Sequence, residues 1–381
     1  MSFLKSENKS GFYCPYPFTF IRNNPKTGYK PCCWMNVHKP NGKRTIYEPS
    51  KQLPFEYFYG DFLSEVRRDM LSGERTELLE QVCSKCIKRE EETGTSPRLM
   101  REYETGINLE LNIYSMDCNL ECVGCRPEDS STRNKRVKQL LEVNSDYYDL
   151  LELDDNILET DFKKVNPFRF YEILADIEKH SDQINSITFC GGEPALMKGH
   201  FELLDRLISN GCSKKINLAY VSNFTCMKRD KMQKYIDNFK FVSFQWSMDG
   251  VAEVNNYLRY PTDWHSTVKN VFDFDNVSAT FTPTSLALLS IKETFDWLER
   301  HGLKPDDVYN RVLTPEFLQP RHLPQHIKKI INNDVKEVSV TLHRDMWREG
   351  DPKMHQILLN YLDDLDRLRG TNWKQIFPLL T

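Results

Sequence analysis

From residue 107 onward, apolar positions switch repeatedly between a period of two and a period of about 3.6. Ile107, Leu109, Leu111 and Ile113 alternate with polar residues, which predicts a strand. Residues 168–180 place Phe170, Ile173, Leu174 and Ile177 on one helical face. A strand at Ile187–Phe189, a helix from His200 to Asn210 and a strand from Ile216 to Val221 follow. Next come a helix from Lys228 to Asn238 and strands at Phe241–Trp246 and Val277–Phe281. A helix over 290–301 carries Ile291, Phe295 and Leu298, and a sixth strand, Val308–Leu313, is stopped by Thr314 and Pro315. Strands alternating with helices predict a parallel α/β architecture. A helix at about 353–368 and the closing Trp373–Leu380 read as a C-terminal cap.

Residues 1–105 are patterned differently. An aromatic run, Pro15 to Ile21, leads through the turn composition of Asn23 to Gly28 and on to Pro31-Cys32-Cys33-Trp34. This predicts a hairpin with cysteine at each end. Residues 61–72 predict a helix with Phe62, Val66, Met70 and Leu71 on one face and Gly73 just past its end. Residues 128–165, bearing Asp146, Asp149, Glu152, Asp154 and Asp155, are long for a connection between a strand and a helix. They read as a partly helical acidic insertion, either solvated surface or binding surface. Three regions result: a cysteine-rich module (1–105), the α/β region (106–315) and a helical extension (316–381).

Composition narrows the function. With 39% hydrophobic and 28% charged residues, the 381-residue chain has the profile of a globular protein. A formal charge of −4 gives no reason to expect nucleic-acid binding. No apolar run reaches the length of a membrane span, and the first residues lack the apolar core of a signal peptide. The expectation is a cytoplasmic protein whose eleven cysteines serve metal binding, catalysis or packing rather than disulfides.

The cysteines cluster. Cys118, Cys122 and Cys125 fall on the loop leaving the first α/β strand, at spacings of four and three. Three thiolates converging there make a soft-ligand site, for zinc or an iron–sulfur cluster, with one coordination position unfilled. The second strand runs into Cys190 and then Gly191-Gly192-Glu193-Pro194. Later strands end in Ser222-Asn223 and in Ser247-Met248-Asp249-Gly250. Polar residues at successive strand C-termini mark the active-site end of such folds. Upstream, Cys14, Cys32 or Cys33, Cys83 and Cys86 supply four further soft ligands, or else cysteines of the core.

The Cys118–Cys125 loop followed by Gly191-Gly-Glu-Pro194, each after a strand, resembles the radical S-adenosylmethionine enzymes. The resemblance implies a partial (β/α)6 TIM-like barrel. Its 4Fe–4S cluster would be held by Cys118, Cys122 and Cys125, with the fourth iron chelated by S-adenosyl-L-methionine. Gly191, Gly192, Glu193 and Pro194 would then face the methionyl part, with Glu193 toward its ammonium. Ser222, Asn223, Ser247, Asp249 and Arg259 match other positions around that ligand. Gly124 departs from the family, many of whose members carry an aromatic residue before the last cluster cysteine.

Cys14, the turn to Cys32-Cys33, Arg67-Arg-Asp-Met70 and Cys83-Ser-Lys-Cys86 are similar to a twitch or SPASM-type module. That would bind a second, auxiliary 4Fe–4S cluster through Cys14, Cys32, Cys83 and Cys86, although such modules more familiarly follow the barrel. The implied activity is reductive cleavage of S-adenosylmethionine and hydrogen abstraction from a substrate, a peptide or protein by this reading, with an external low-potential electron donor. A structural zinc protein, or the same chemistry on a sugar or RNA, are the alternatives. Cys190 sits beside the site as a small buried side chain or a substrate contact. Cys212 and Cys226 read as packing, and His38 and His180 as surface residues.

Overall fold

The computed structural model of the chain describes residues 12–24, 28–36, 52–100, 105–112, 116–153, 167–197, 199–305 and 315–381. Its centre is one eight-stranded sheet: β1 (Phe20–Asn24), β2 (Gly28–Lys30), β3 (Ile107–Leu111), β4 (Ile184–Phe189), β5 (Asn217–Ser222), β6 (Phe241–Met248), β7 (Val277–Phe281) and β8 (Lys304–Pro305). The strands are ordered β2-β1-β3-β4-β5-β6-β7-β8. Among the described strands only the β1–β2 pair is antiparallel; β1 pairs in parallel with β3, and β3 to β8 pair in parallel with one another. The mixed α/β class with a helical C-terminus is therefore as expected.

Helices Ser131–Val143, Pro167–Lys179, His200–Ser209, Arg229–Asn238, Trp264–Phe272 and Ile291–Arg300 fill the crossovers between parallel strands. The strand residues facing them are apolar and buried: Leu109, Leu111, Ile187, Phe189, Leu218, Tyr220, Phe244, Trp246, Met248 and Ala279. Each large side chain so buried contributes roughly 1.5–3 kcal/mol. The opposite face is polar and half-buried, with Arg22, Glu110, Thr188, Ser243, Gln245, Ser247, Ser278 and Thr280 along it. Period-two alternation thus gives the sheet one dry face and one face able to receive a ligand.

Several elements differ from the expected ones. The hairpin forms, but Tyr16–Thr19 is a helical turn and the strand begins only at Phe20. The hairpin also belongs to the main sheet: Phe20, Ile21 and Arg22 pair with Asn108, Leu109 and Glu110. The sheet is continuous across the residue 105/106 boundary. The helix Asp61–Ser72 ends on Gly73 at φ 76°, but its buried face is Leu63, Val66 and Met70. Leu71 is 58% exposed, because the small core that this helix joins lies toward Cys14, Met35 and Ile87. His180 is half-buried rather than isolated on the surface: its ring stacks on Phe55 at 4.2 Å and its Nδ1 lies 3.4 Å from Asp176. The insertion contains helices Ser131–Val143 and Tyr147–Leu150. Asp154, Asp155, Ile113, His38 and the sixth strand at 308–313 lie outside the described residues.

Candidate active site at the strand C-termini

The loop that follows β3 is held from three sides. Its middle zips against the segment before β7: Glu121 N donates to Tyr260 O at 2.7 Å and Val123 N to Leu258 O at 2.8 Å. Behind it, the N-cap of helix Ser131–Val143 supplies hydroxyls: Ser130 Oγ donates to Leu120 O (2.6 Å) and Thr132 Oγ1 to Cys118 O (2.5 Å). The third support is ionic. Glu121 accepts from Arg136 at 2.9 Å and from Arg369, at the end of the C-terminal helix Pro352–Arg369, at 2.7 Å.

Within this frame Cys122 is buried and Cys118 and Cys125 are half-buried. The Cys125 thiol hydrogen-bonds to Cys122, which with Arg259 assisting holds Cys122 below the usual thiol range and raises Cys125. Burial and the neighbouring Cys122 push Cys118 up to about 11. Cys118 Sγ accepts from Leu120 N at 3.5 Å and from Asn223 Nδ2 at 3.8 Å.

The loop after β4 packs directly on the cysteine loop. Glu193 N donates to Asp117 O at 2.8 Å and Gly192 N to Asp129 O at 3.2 Å. Both glycines have positive φ, 77° at Gly191 and 55° at Gly192. A Cβ at Gly191 would stand 2.1 Å from Asn112 Nδ2, and one at Gly192 would stand 2.7 Å from Asp117 O. The glycines therefore serve close approach to the end of β3 and its loop. Glu193 is fully buried, and its two oxygens accept from Ser222 Oγ (2.7 Å) and Asn223 N (2.8 Å). Burial raises its pKa, against the effect of those donors. It ties the ends of β4 and β5 together, while Asn223 carries the tie on to Cys118.

Asp249, just past β6, accepts from Arg259 Nη1 at 2.9 Å and from Thr282 N at 3.2 Å. Burial opposes the charge on Arg259, but Cys122 and Asp249 outweigh it and hold the guanidinium protonated. Among the described residues Arg259 Nε is buried without a hydrogen-bond partner. Ser247 lies half-buried on the polar sheet face, opposite Thr280 in register. Pro194 is buried at the start of the turn Pro194–Leu196. Cys118, Gly191, Gly192, Glu193, Ser222, Asn223, Asp249 and Arg259 are thus linked through one contiguous network at one end of the sheet.

Two residues that sequence reasoning passed over stand on the polar face beside this network. Arg22 Nε pairs with Glu110 Oε1 at 2.9 Å, and Cys190 Sγ donates to the same oxygen at 3.4 Å. Burial and Glu110 keep the Cys190 thiol well above its usual range. The signal for Glu110 was present, since it occupies an out-facing position of the first alternating strand. Arg22 gave no signal until its strand joined the sheet. Cys212 packs on the main core, and Cys226 accepts from Thr225 Oγ1 at 3.7 Å.

Cys14, Cys32, Cys83 and Cys86 line a single cavity with Tyr16, Trp34, Met35, Met70 and Arg98. It measures about 30 Å³, so the thiols as placed close on the space between them. Burial pushes Cys32 and Cys83 up to about 12 and raises Cys14 and Cys86, and neighbouring cysteines add to the effect at Cys14, Cys32 and Cys83. Four thiols that resist ionising beside one another are a donor set that a cation or cluster would complete. Cys33 also borders the cavity but is exposed, and it acts electrostatically on Arg22. Cys32 is the less exposed of the pair. Among the described residues no three Cys, His, Asp or Glu side chains stand close enough to hold a single metal ion. The donor chemistry of both sets, three cysteines in one and four in the other, is that of soft-metal ligation, zinc or iron–sulfur.

No protein-family model matches the chain, and no curated protein matches it in sequence. Among solved structures, the chain is similar to native anSMEcpe with bound AdoMet, at 20% identity and a TM-score of 0.37, over 52% of this chain and 50% of that one. It is similar to Streptococcus suis SuiB bound to S-adenosylmethionine, at 13% identity and a TM-score of 0.36, over 84% and 70%. SuiB bound to precursor peptide SuiA matches at 13% identity and a TM-score of 0.36, over 79% and 66%. The chain thus spans about half the length of anSMEcpe. Among the described residues no helix is long and apolar enough to cross a membrane.

Proposed function

We propose that the chain is a radical S-adenosylmethionine enzyme that abstracts hydrogen from a peptide or protein substrate. The observation that carries this reading is the direct junction of the Cys118–Cys125 loop with Gly191-Gly192-Glu193, reinforced by Asn223 on Cys118. A three-cysteine loop and a glycine–carboxylate loop are joined where parallel strands end, beside the half-buried polar sheet face.

In this reading Cys118, Cys122 and Cys125 hold a 4Fe–4S cluster, and Cys14, Cys32, Cys83 and Cys86 hold an auxiliary one. When bound, the first cluster would supply one-electron reduction of S-adenosylmethionine, the electron coming from an external low-potential donor. The protein's part is placement. Arg259 sets positive charge beside Cys122, offsetting the negative charge of thiolate ligands. Glu193, through Ser222 and Asn223, fixes the spacing between the cysteine loop and the next two strand ends. Arg22, Glu110 and Cys190 offer charged and polar contacts to a substrate on the sheet face. The hairpin that carries Arg22 also carries Cys32 and Cys33, so substrate would lie between the two cysteine sets.

Iron and sulfide analysis after anaerobic reconstitution tests the assignment. About eight irons per chain are expected, falling to about four when Cys118, Cys122 and Cys125 are changed to Ser, and to about four when Cys83 and Cys86 are changed instead. Two zinc ions and no iron would refute it.

A further inference from the structure

The C-terminal region holds a second pocket, remote in sequence from the cysteine loops, of about 460 Å³. Arg321, His322, Lys328, Trp347, Gly350 and His355 are among its walls. The pocket is tightly built. A Cβ at Gly350 would lie 1.9 Å from Arg321 O, so only glycine lets this segment close against Arg321. Trp347 is fixed by Nε1 donating to Asn332 Oδ1 at 3.0 Å.

Its charges do not balance. Glu316 pairs with Arg321 at 2.5 Å and lies 3.6 Å from His322. Asp351 caps its own helix through Lys353 N at 2.8 Å. Neither reaches Lys328, which is only 7% exposed. The Lys328 ammonium donates to Arg321 O at 2.6 Å and stands 5.9 Å over the Trp347 ring. Among the described residues no carboxylate pairs with it, so it keeps unused donors in a nearly buried place. Among the described residues His355 Nδ1 is likewise buried without a hydrogen-bond partner. Burial lowers the pKa of both, and the neighbouring His326 adds to the effect at His355. A buried ammonium and an unsatisfied imidazole nitrogen on the walls of one pocket are costly unless something completes them.

We propose that this pocket binds an oxyanion, a phosphate or a carboxylate group, with Lys328 as its charged contact, His355 Nδ1 as a second hydrogen-bonding group and Trp347 as a flat wall. The inference is independent of the radical chemistry. Isothermal titration calorimetry on the full chain tests it with two probes. One is inorganic phosphate; the other is a short peptide with a free α-carboxylate, run against the same peptide amidated. Saturable binding is expected for at least one probe, with the amide failing to bind if the carboxylate is the ligand. Lys328→Met keeps the buried stem and removes the charge, so it should weaken binding about ten- to a hundredfold. Lys328→Arg should recover part of that loss. If Lys328→Met fails to fold by circular dichroism, His355→Phe takes its place and should also weaken binding. The proposal is overturned if neither probe saturates. Binding by a folded variant as tightly as by the wild-type protein would overturn it as well.

Discussion

The C-terminal helix Pro352–Arg369 reaches across the molecule to hold the residue beside Cys122, and that contact can be measured. Arg369 has no exposed side-chain surface and Glu121 has 4%. The guanidinium donates to Glu121 Oε1 at 2.7 Å, to Glu121 O at 2.5 Å and to Tyr257 O at 3.2 Å. Removing one partner of a buried ion pair costs about 3–5 kcal/mol, because the other charge stays behind uncompensated. Arg136 still reaches Glu121 at 2.9 Å, so Arg369→Met should fall near about 3 kcal/mol. Glu121→Gln, which leaves two guanidinium groups facing a neutral amide, should cost a similar amount. If the two side chains act on each other, the double variant loses far less than the sum. We expect a coupling of about 2 kcal/mol or more in a double-mutant cycle read by urea denaturation. Additivity within about 0.5 kcal/mol would refute the brace. So would single losses below about 1 kcal/mol, the worth of an exposed pair.

Gly191→Ala should destabilise by more than the roughly 1–2 kcal/mol of a left-handed alanine, because its Cβ also meets Asn112 at 2.1 Å. Adding Asn112→Ala should relieve only the steric part, leaving a melting temperature still below wild type. Cys33→Ser should leave iron content unchanged, whereas Cys32→Ser should cost the auxiliary set its iron; equal losses would contradict the assignment of Cys32. His200 is fully buried, accepts or donates at 2.8 Å with Tyr220, and is pushed down to about 3 by burial. The unfolded chain, with an ordinary pKa near 6.5, binds this proton more readily, so stability is present above about pH 6.5 and is lost as pH falls toward 3. Between pH 7.5 and 5.5 that group alone accounts for about 1.4 kcal/mol, and His200→Phe should remove that slope from the urea midpoints.

Much of this architecture was legible because periodicity reports burial. Alternation at Leu109 and Leu111, and at Val242 to Met248, marked strands whose apolar side faces the helices. Helix Asp61–Ser72 ended on Gly73 as its left-handed C-cap requires. Leu71 was misplaced because a helical wheel ranks hydrophobicity but does not know where the neighbouring core lies. The parallel pairing of β1 with β3 was out of reach, since the partners are nearly ninety residues apart and either sequence suits an edge. At the site, spacing marked the three cysteines and the two glycines. It could not reveal that Glu193 is engaged by Ser222 and Asn223, or that Gly191 makes room for Asn112. The Arg22–Glu110–Cys190 cluster and the Glu121–Arg369 brace are tertiary, built from ordinary charged residues that carry no local signature.

The central claim is that the Cys118–Cys125 loop and Gly191-Gly-Glu-Pro194 form one reductive site. Its most direct measurement is 5′-deoxyadenosine released from S-adenosylmethionine by the anaerobically reconstituted chain in the presence of dithionite. The account predicts release that depends on dithionite, disappears in Cys122→Ser and persists in Cys83→Ser without added substrate. No release from iron-loaded protein, or equal release from Cys122→Ser, would contradict it.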